Sequence, residues 1–296
     1  NVVANPSFGF IVSERGGGYT WAENSREYRL TPWTNDPISD EAQEIIYIED
    51  MDEAYKWAIN PDASTSDEPW TVRHGWGYSV FNKDCYGLNQ ELIMYVPRNE
   101  KLKINILRLK NKENNRKRLR LCYFMEPVLG VNKKETSPHI IVKYNSEING
   151  LTLVNNYNTD FPGRTVFISS SEPISDYRNN KIEFFELLSR DSDFDLSIGY
   201  EPCGAIMVEV TIDAKGEKSI SFYMGQSNSN EDIKSLLDKD KDRTAAEEEL
   251  EMVRKQWRDI TGKIKVKTPD KSMDIMLNGW LVYQTISCRL WGRSGF

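Results

Sequence analysis

Between residues 102 and 224, apolar side chains recur at every second position in one run after another, and polar turns separate the runs. Leu102, Ile104, Ile106 and Leu109 make one run; Leu119, Leu121, Tyr123 and Met125 make the next, across the polar turn 111–117. In an extended chain this period puts alternate side chains on one sheet face, so each set is read as a buried strand face. Shorter runs follow at 140–144, 151–155, 165–169, 205–212 and 219–224, and Asp213-Ala-Lys-Gly216 joins the last two as a hairpin turn. Many short strands with regular turns specify a mainly β sandwich or supersandwich. No internal repeat is visible. A chain of 296 residues buries a sizeable core without disulfides or metals. Residues 1–100 mix aromatics with Gly, Pro, Asn and Asp, which predicts short strands with long loops. One of these is the polar stretch Asp62–Glu68, closed by Pro69.

After Gly225 the period changes. A short helix is expected over 231–237, then a charged run, 238–243. Ala246, Leu250, Val253, Trp257 and Ile260 then recur at helical spacing. Glu251 and Lys255 are placed as an i,i+4 pair on the wet side, and Gly262 ends the helix. Thr268-Pro-Asp270 reads as a further helix start, with Thr268 as cap and Pro269 in the first turn. Met273, Met276, Leu277, Trp280 and Leu281 form a broad apolar face on that helix, and no helix follows. Its packing partners are therefore expected in chain beyond residue 296. The first residue, Asn1, and the ending Arg293-Ser-Gly-Phe296 are likewise read as cuts within a longer protein. The expected organisation is a sandwich over 1–226, a helical linker over 227–266, and a further domain beginning at 267–296.

Charge and motif content narrow the function. A net charge of −7 opposes nucleic-acid and anionic-membrane binding. The ten Lys and Arg between Arg98 and Arg120, set against Glu100 and Glu113, are read as the solvated face of a hairpin. The four cysteines (85, 122, 203 and 288) have no C-x-x-C spacing and only two histidines beside them, which leaves no ligand set for structural zinc. Cys122 and Cys203 are read as buried thiols, and a reducing cytoplasm fits. No apolar run is long enough for a membrane span, and no secretory signal opens the chain. Nucleophile elbows, Walker loops, zinc-protease helices and dinucleotide fingerprints are all missing from the sequence.

Eight Trp and fourteen Tyr are many for this length. They serve either as large core residues or as flat faces for stacking on sugars. The segment 13–33 concentrates them. The Gly16-Gly17-Gly18 run is either a permissive turn or a loop that brings Arg15 and nearby aromatics to a ligand. Trp21, Asn24, Arg26, Arg29 and Trp33 supply rings, an amide and cations, a mixture that suits sugar hydroxyls and CH faces. The competing reading puts Trp21 and Trp33 in the core and makes Arg26 and Arg29 salt-bridge partners.

Three stretches carry a family resemblance in colinear order. They are Asn5-Pro-Ser-Phe-Gly-Phe through Ser13-Glu-Arg-Gly-Gly-Gly-Tyr-Thr-Trp-Ala-Glu-Asn-Ser-Arg-Glu to Arg29-Leu-Thr-Pro-Trp33; Arg73-His-Gly-Trp-Gly-Tyr-Ser79; and Thr268-Pro-Asp running on through Asn278-Gly-Trp-Leu-Val-Tyr-Gln284 to Cys288-Arg-Leu-Trp-Gly-Arg293. Together they resemble the N-terminal portion of glycoside hydrolase family 94, a family of inverting phosphorylases. Within it the resemblance is greatest to members acting on β-1,2-linked glucans. The family implies a β-supersandwich, linker helices and an (α/α)6 catalytic barrel, of which this chain would hold the first helix. It also implies phosphorolysis of β-glucan with inorganic phosphate as co-substrate, no other cofactor, and release of α-glucose 1-phosphate. The general acid would lie beyond residue 296, so no catalytic residue is assigned and the chain alone is expected to be inactive. Family members lend a loop of this domain to the active site, in some cases across a dimer. Arg15, Tyr19, Trp21, Asn24, Arg26 and Arg293 are accordingly the candidate substrate contacts. The implied partners are a β-glucan oligosaccharide, the rest of the barrel and a second copy in a homodimer. The alternatives are a non-catalytic scaffold or dimerisation domain, or a carbohydrate-binding domain of a cyclic β-1,2-glucan synthase.

Overall fold

A computed structural model describes residues 1–36, 38–61, 68–188, 200–240 and 243–292. Residues 62–67 of the predicted loop 62–68 and the candidate Arg293 lie outside the described residues.

The alternating runs form strands of two antiparallel sheets, and neither expected hairpin is one: Leu102–Asn111 and Lys117–Met125 lie in different sheets, as do Pro202–Ile212 and Glu217–Ser227. The large sheet has eight strands in the order Ile140–Asn145, Gly150–Asn155, Thr165–Ser170, Glu217–Ser227, Leu102–Asn111, Leu88–Tyr95, Tyr78–Cys85 and Thr71–Gly75. The second has five: Asp176–Asn180, Pro202–Ile212, Lys117–Met125, Glu44–Asp50 and Lys56–Ala58. The main core lies between them, where Leu107, Leu109, Ile220, Phe222 and Met224 meet Leu119, Leu121, Tyr123 and Val208. A third sheet of Val2–Asn5, Phe8–Val12 and Gly18–Ala22 adds Phe8, Phe10 and Val12 to that core.

The reading of strand Leu102–Asn111 as a single buried face is corrected. Leu102, Ile104 and Ile106 point to the helices, whereas Leu109 joins Leu107 on the opposite face. Both faces are apolar because both are covered. Helices Asn230–Asp240 and Arg243–Gly262 lie on the outer face of the large sheet, where Ile233, Leu237, Leu250, Val253 and Trp257 pack over Ile104, Tyr95 and Tyr223. The five-stranded sheet is covered in part by Lys181–Leu188, through Phe184 on Phe124. Cys122 and Cys203 are buried there as expected, and burial pushes both thiols up, Cys203 to about 12.

The basic stretch 98–120 is solvated in part, with Lys110, Lys112, Arg116 and Arg118 exposed, but most of its cations are paired. Strand pairing carries acidic residues to it from all sides. Lys103 and Lys117 are buried against Glu44 (2.6 Å) and Asp50 (3.1 Å). Arg108 pairs with Glu91 and Glu247, Arg118 with Asp52, and Arg120 with Glu49 and Glu209. Glu251 likewise pairs with Arg254, one position short of the predicted Lys255.

The last helix begins two residues later than its sequence signal. Asp270, not Thr268, is the cap: its carboxylate accepts from the Ser272 N–H at 2.8 Å, while the Thr268 hydroxyl donates to the Asp270 carbonyl. The helix runs over 271–291 and alternates α-helical turns with π-helical ones at Met276–Trp280 and Thr285–Trp291. Tyr283 is fully buried, but Met273, Ile275, Met276, Leu281 and Leu290 are exposed. No helix among the described residues is long and apolar enough to cross a membrane.

Candidate functional site

Strands Phe8–Val12 and Gly18–Ala22 are joined by a turn whose glycines are needed for clearance. Gly16 has φ +93°, and a Cβ there would lie 2.7 Å from the Asn60 side chain; one on Gly17 would meet Asp40 at 2.2 Å. The Ser13 hydroxyl accepts from the Arg15 and Gly17 N–H groups, both at 3.1 Å, and donates to the Asp40 carboxylate. The Gly run is thus a pinned turn, with Arg15 held exposed at its tip and its guanidinium donating to the Ile38 carbonyl at 3.1 Å.

The strand that follows sets the predicted aromatics into a packed layer. Trp21 is 2% exposed and lies over Gly9, where a Cβ would come within 2.5 Å of the indole. Tyr19 is 5% exposed and stacks on Trp33, ring centroids 4.9 Å apart. Burial pushes the Tyr19 phenol up, opposed by its hydrogen bond with Ser25 and by the Arg29 charge. In this chain, then, Tyr19 and Trp21 support the surface from beneath. The exposed side belongs to Arg15, the half-buried Asn24 and Trp33, and Arg26.

Asn24 is taken up locally: its side-chain oxygen accepts from the N–H groups of Arg26 and Glu27 at 2.9 and 3.0 Å. Arg26 reaches Glu27 at 3.3 Å with 68% of its side chain exposed. Between the two readings of Arg29, a cation for sugar hydroxyls or a salt-bridge partner, the structure offers a third placement: its guanidinium lies over the Tyr19 and Trp33 rings, at 5.3 and 5.9 Å to their centroids. Its buried Nε has no hydrogen-bond partner among the described residues. Sequence reasoning left Arg29 off the contact residues; the signal was its place between Tyr19 and Trp33 in the same motif.

Glu23 was also missed. It takes φ +63°, and its carboxylate binds Lys101 at 2.6 Å and Arg164 at 3.0 and 3.2 Å. Burial would raise this carboxyl, but hydrogen bonds from Lys101 and Arg164 outweigh it and hold it below its usual value.

This segment meets the end of the last helix. The Ser25 N–H donates to the Gly292 carbonyl at 3.1 Å, and Trp291 packs against the cluster of Ala4, Tyr19 and Trp21. The other two sequence motifs interlock in the same region. Trp76, at the tip of the hairpin between Thr71–Gly75 and Tyr78–Cys85, covers Gly279, where a Cβ would lie 2.2 Å from its ring. Gly77 has φ +81° and faces Trp257; its N–H donates to the Tyr283 hydroxyl at 3.1 Å, and that hydroxyl donates to the Val2 carbonyl. An open groove of about 320 Å³ runs beside this junction, lined by His74, Trp76, Tyr78, Arg254, Arg258 and Trp280.

Stacked antiparallel sheets with helices across one outer face define a β-supersandwich that continues into a helical segment. The model for the glycosyl hydrolase 94 supersandwich domain matches residues 1–243, and the model for the glycosyl hydrolase 94 superfamily catalytic domain matches residues 256–296. The chain belongs to glycosyl hydrolase family 94. It is 31% identical to the cyclic β-(1,2)-glucan synthase NdvB of Rhizobium meliloti (strain 1021), over 100% of this chain and 11% of that protein. It is 26% identical to an N,N'-diacetylchitobiose phosphorylase of Vibrio proteolyticus, over 99% of this chain and 38% of that one. The chain therefore spans well under half the length of these relatives. Among solved structures it is similar to a bacterial glucoamylase complexed with acarbose (TM-score 0.50, 11% identity, 86% of this chain and 34% of that one), a likeness of fold alone.

Proposed function

We propose that this chain is the front part of an inverting glycoside phosphorylase that cleaves β-1,2-linked glucan with inorganic phosphate. Family membership and the similarity to a chitobiose phosphorylase support the reaction class, and the similarity to a cyclic β-(1,2)-glucan synthase supports the substrate class. In such a reaction an acid gives its proton to the leaving glycosidic oxygen while a phosphate oxygen attacks the anomeric carbon from the opposite face. One displacement yields α-glucose 1-phosphate and a glucan shorter by one unit. Phosphate is the nucleophile, so one carboxyl suffices where hydrolysis uses two, and no organic cofactor is needed. That acid is placed beyond residue 296, in a barrel that would cover the exposed Met273, Ile275, Met276, Leu281 and Leu290. We place the whole protein in the cytoplasm, as a homodimer.

One observation carries the role of this chain: the Ser25 N–H bond to Gly292. It sets the segment bearing Arg15, Asn24, Arg26 and Arg29 beside the residue preceding Arg293. Arg15, Arg26 and Arg29 would then meet sugar hydroxyls or phosphate, with Tyr19 and Trp21 as the rigid floor. Full-length protein incubated with β-1,2-glucan and phosphate should release glucose 1-phosphate; none released sinks the proposal. Arg15→Ala with Arg26→Ala, both exposed, should raise KM at unchanged melting temperature, whereas a pure scaffold predicts no kinetic change.

The groove between Trp76 and Trp280 favours a second reading, non-catalytic glucan binding, since indole rings beside guanidinium groups suit a sugar. Calorimetry with β-1,2-glucan and an Arg258→Ala variant distinguishes the two, because only this reading predicts that the variant loses heat of binding while phosphorolysis persists.

A further inference from the structure

Glu23 occupies backbone that side chains rarely adopt. At φ +63° it is the centre of a three-residue turn closed by the Asn24 N–H donating to the Ala22 carbonyl at 2.6 Å. A turn of that hand is strained for any residue with a Cβ, and such strain persists where surrounding contacts over-determine it. Here those contacts are explicit. The Glu23 N–H donates to the Ser7 carbonyl at 2.7 Å. Its carboxylate is gripped by Lys101 and, through both oxygens, by Arg164. Lys101 and Arg164 stand immediately before strands Leu102–Asn111 and Thr165–Ser170, which flank Glu217–Ser227 in the large sheet. Arg164 also donates to the Asn228 side chain at 3.2 Å. The rim of the rigid sheet thus holds the start of the segment 24–29, and two residues further on Ser25 bonds to Gly292.

We infer that Glu23 is a positioning residue: it transmits the position of the large sheet's rim to the 24–29 segment and sets that segment's register against the end of the last helix. Its kinetic consequence rests on the function proposed above. Because the residues it positions are proposed to bind substrate, releasing Glu23 acts on KM more than on kcat.

The test uses Glu23→Gln, which keeps the side-chain length and loses the charge, in the full-length protein. KM for β-1,2-glucan should rise roughly 10-fold, the scale of one weakened charge-assisted contact to substrate, with kcat within about twofold. Amide exchange should speed up in peptides covering 23–29 and 285–292 and stay unchanged in the sheet strands. Arg164→Gln should reproduce the pattern, and it takes over the test if Glu23→Gln does not fold. Unchanged KM with unchanged exchange overturns the inference, as does faster exchange throughout the sheets, which would make Glu23 a general stabiliser. If the wild-type protein shows no phosphorolysis, the proposed function fails, and the exchange pattern alone still decides the role of Glu23.

Discussion

The sandwich interior and the junction around Trp257 are both apolar, but they are closed in different ways. Between the sheets, apolar side chains from many strands interdigitate, and each buried residue has neighbours from several strands. The junction is a meeting of four elements: strand Val2–Asn5, the 71–85 hairpin tip, the Arg243–Gly262 helix and the last helix. It depends on a few particular contacts: Trp257 on Tyr283 and Trp291, Trp76 on Gly279, and the Tyr283 hydroxyl bonded to Gly77 and Val2. Repetition holds the first region, and a small number of shapes holds the second. A single substitution should therefore undo the junction while leaving the sandwich folded.

The sharpest break in that comparison is Trp257→Ala. The indole is 2% exposed, and its removal leaves a cavity beneath the Gly77 turn; truncations of this kind cost about 3–5 kcal/mol. Amide exchange should show the loss in 243–291 and in the 75–78 turn, with the strands between the sheets still protected. Equal deprotection of those strands would make the molecule one cooperative unit and abolish the distinction.

Inside the sandwich the counterpart is Lys117→Met. Asp50 and Lys117 are each 3% exposed in their side chains, and Glu113 also pairs with the amine at 3.3 Å. Removing the cation leaves the Asp50 charge buried, at a cost of about 3 kcal/mol, spread over the whole unfolding transition. Burial by itself would lower the Lys117 pKa, but the bonds to Asp50 and Glu113 prevail and raise it above 10.5. A raised folded-state value means the contribution is fully present below the unfolded pKa and is lost as pH rises through the folded one. Urea titrations should therefore separate wild type from Lys117→Met at about pH 7 and bring them together as pH rises into strong alkali. A gap that closes near neutrality would contradict the pairing.

How much of this could be read in advance depended on whether the signal was local. Alternation and turns placed most of the long strands, because period two is a property of consecutive residues. The three-residue step from Ile106 to Leu109 already puts those two on opposite faces; what alternation did not show is that both faces are buried, since the sequence does not say what covers a sheet. The run of cations at 98–120 looked solvated throughout for the same reason: its partners Glu44, Asp50, Glu91 and Glu247 come from other strands and a helix. Within the site, the 13–33 segment stood out by composition. The burial of Tyr19 and Trp21, the stacked Arg29 and the strained Glu23 all arise from contacts with residues distant in sequence, such as Lys101, Arg164 and Trp291. The helix cap was misplaced by two residues because Thr268 and Asp270 are both good caps and the choice between them is conformational. Asp270 adopts φ −105°, ψ 115° and bonds to Ser272.

That choice supplies the smallest and most local of the tests. If Asp270 is the cap, Asp270→Ala should cost about 1 kcal/mol, while Thr268→Ala should cost less, since its hydroxyl only donates to the Asp270 carbonyl and accepts the Asp270 N–H. The loss should appear as faster exchange of the Ser272 and Met273 amides, with Trp257 fluorescence and sandwich protection unchanged. It would refine the comparison by showing that the junction itself has graded stability: its start, where Met273 and Ile275 are exposed, frays independently of the end pinned by Tyr283. If Asp270→Ala instead loosened Tyr283 and the Gly77 turn together, the last helix would behave as one rigid rod, and its cap would matter to the register of residues 285–292 against the Glu23 segment.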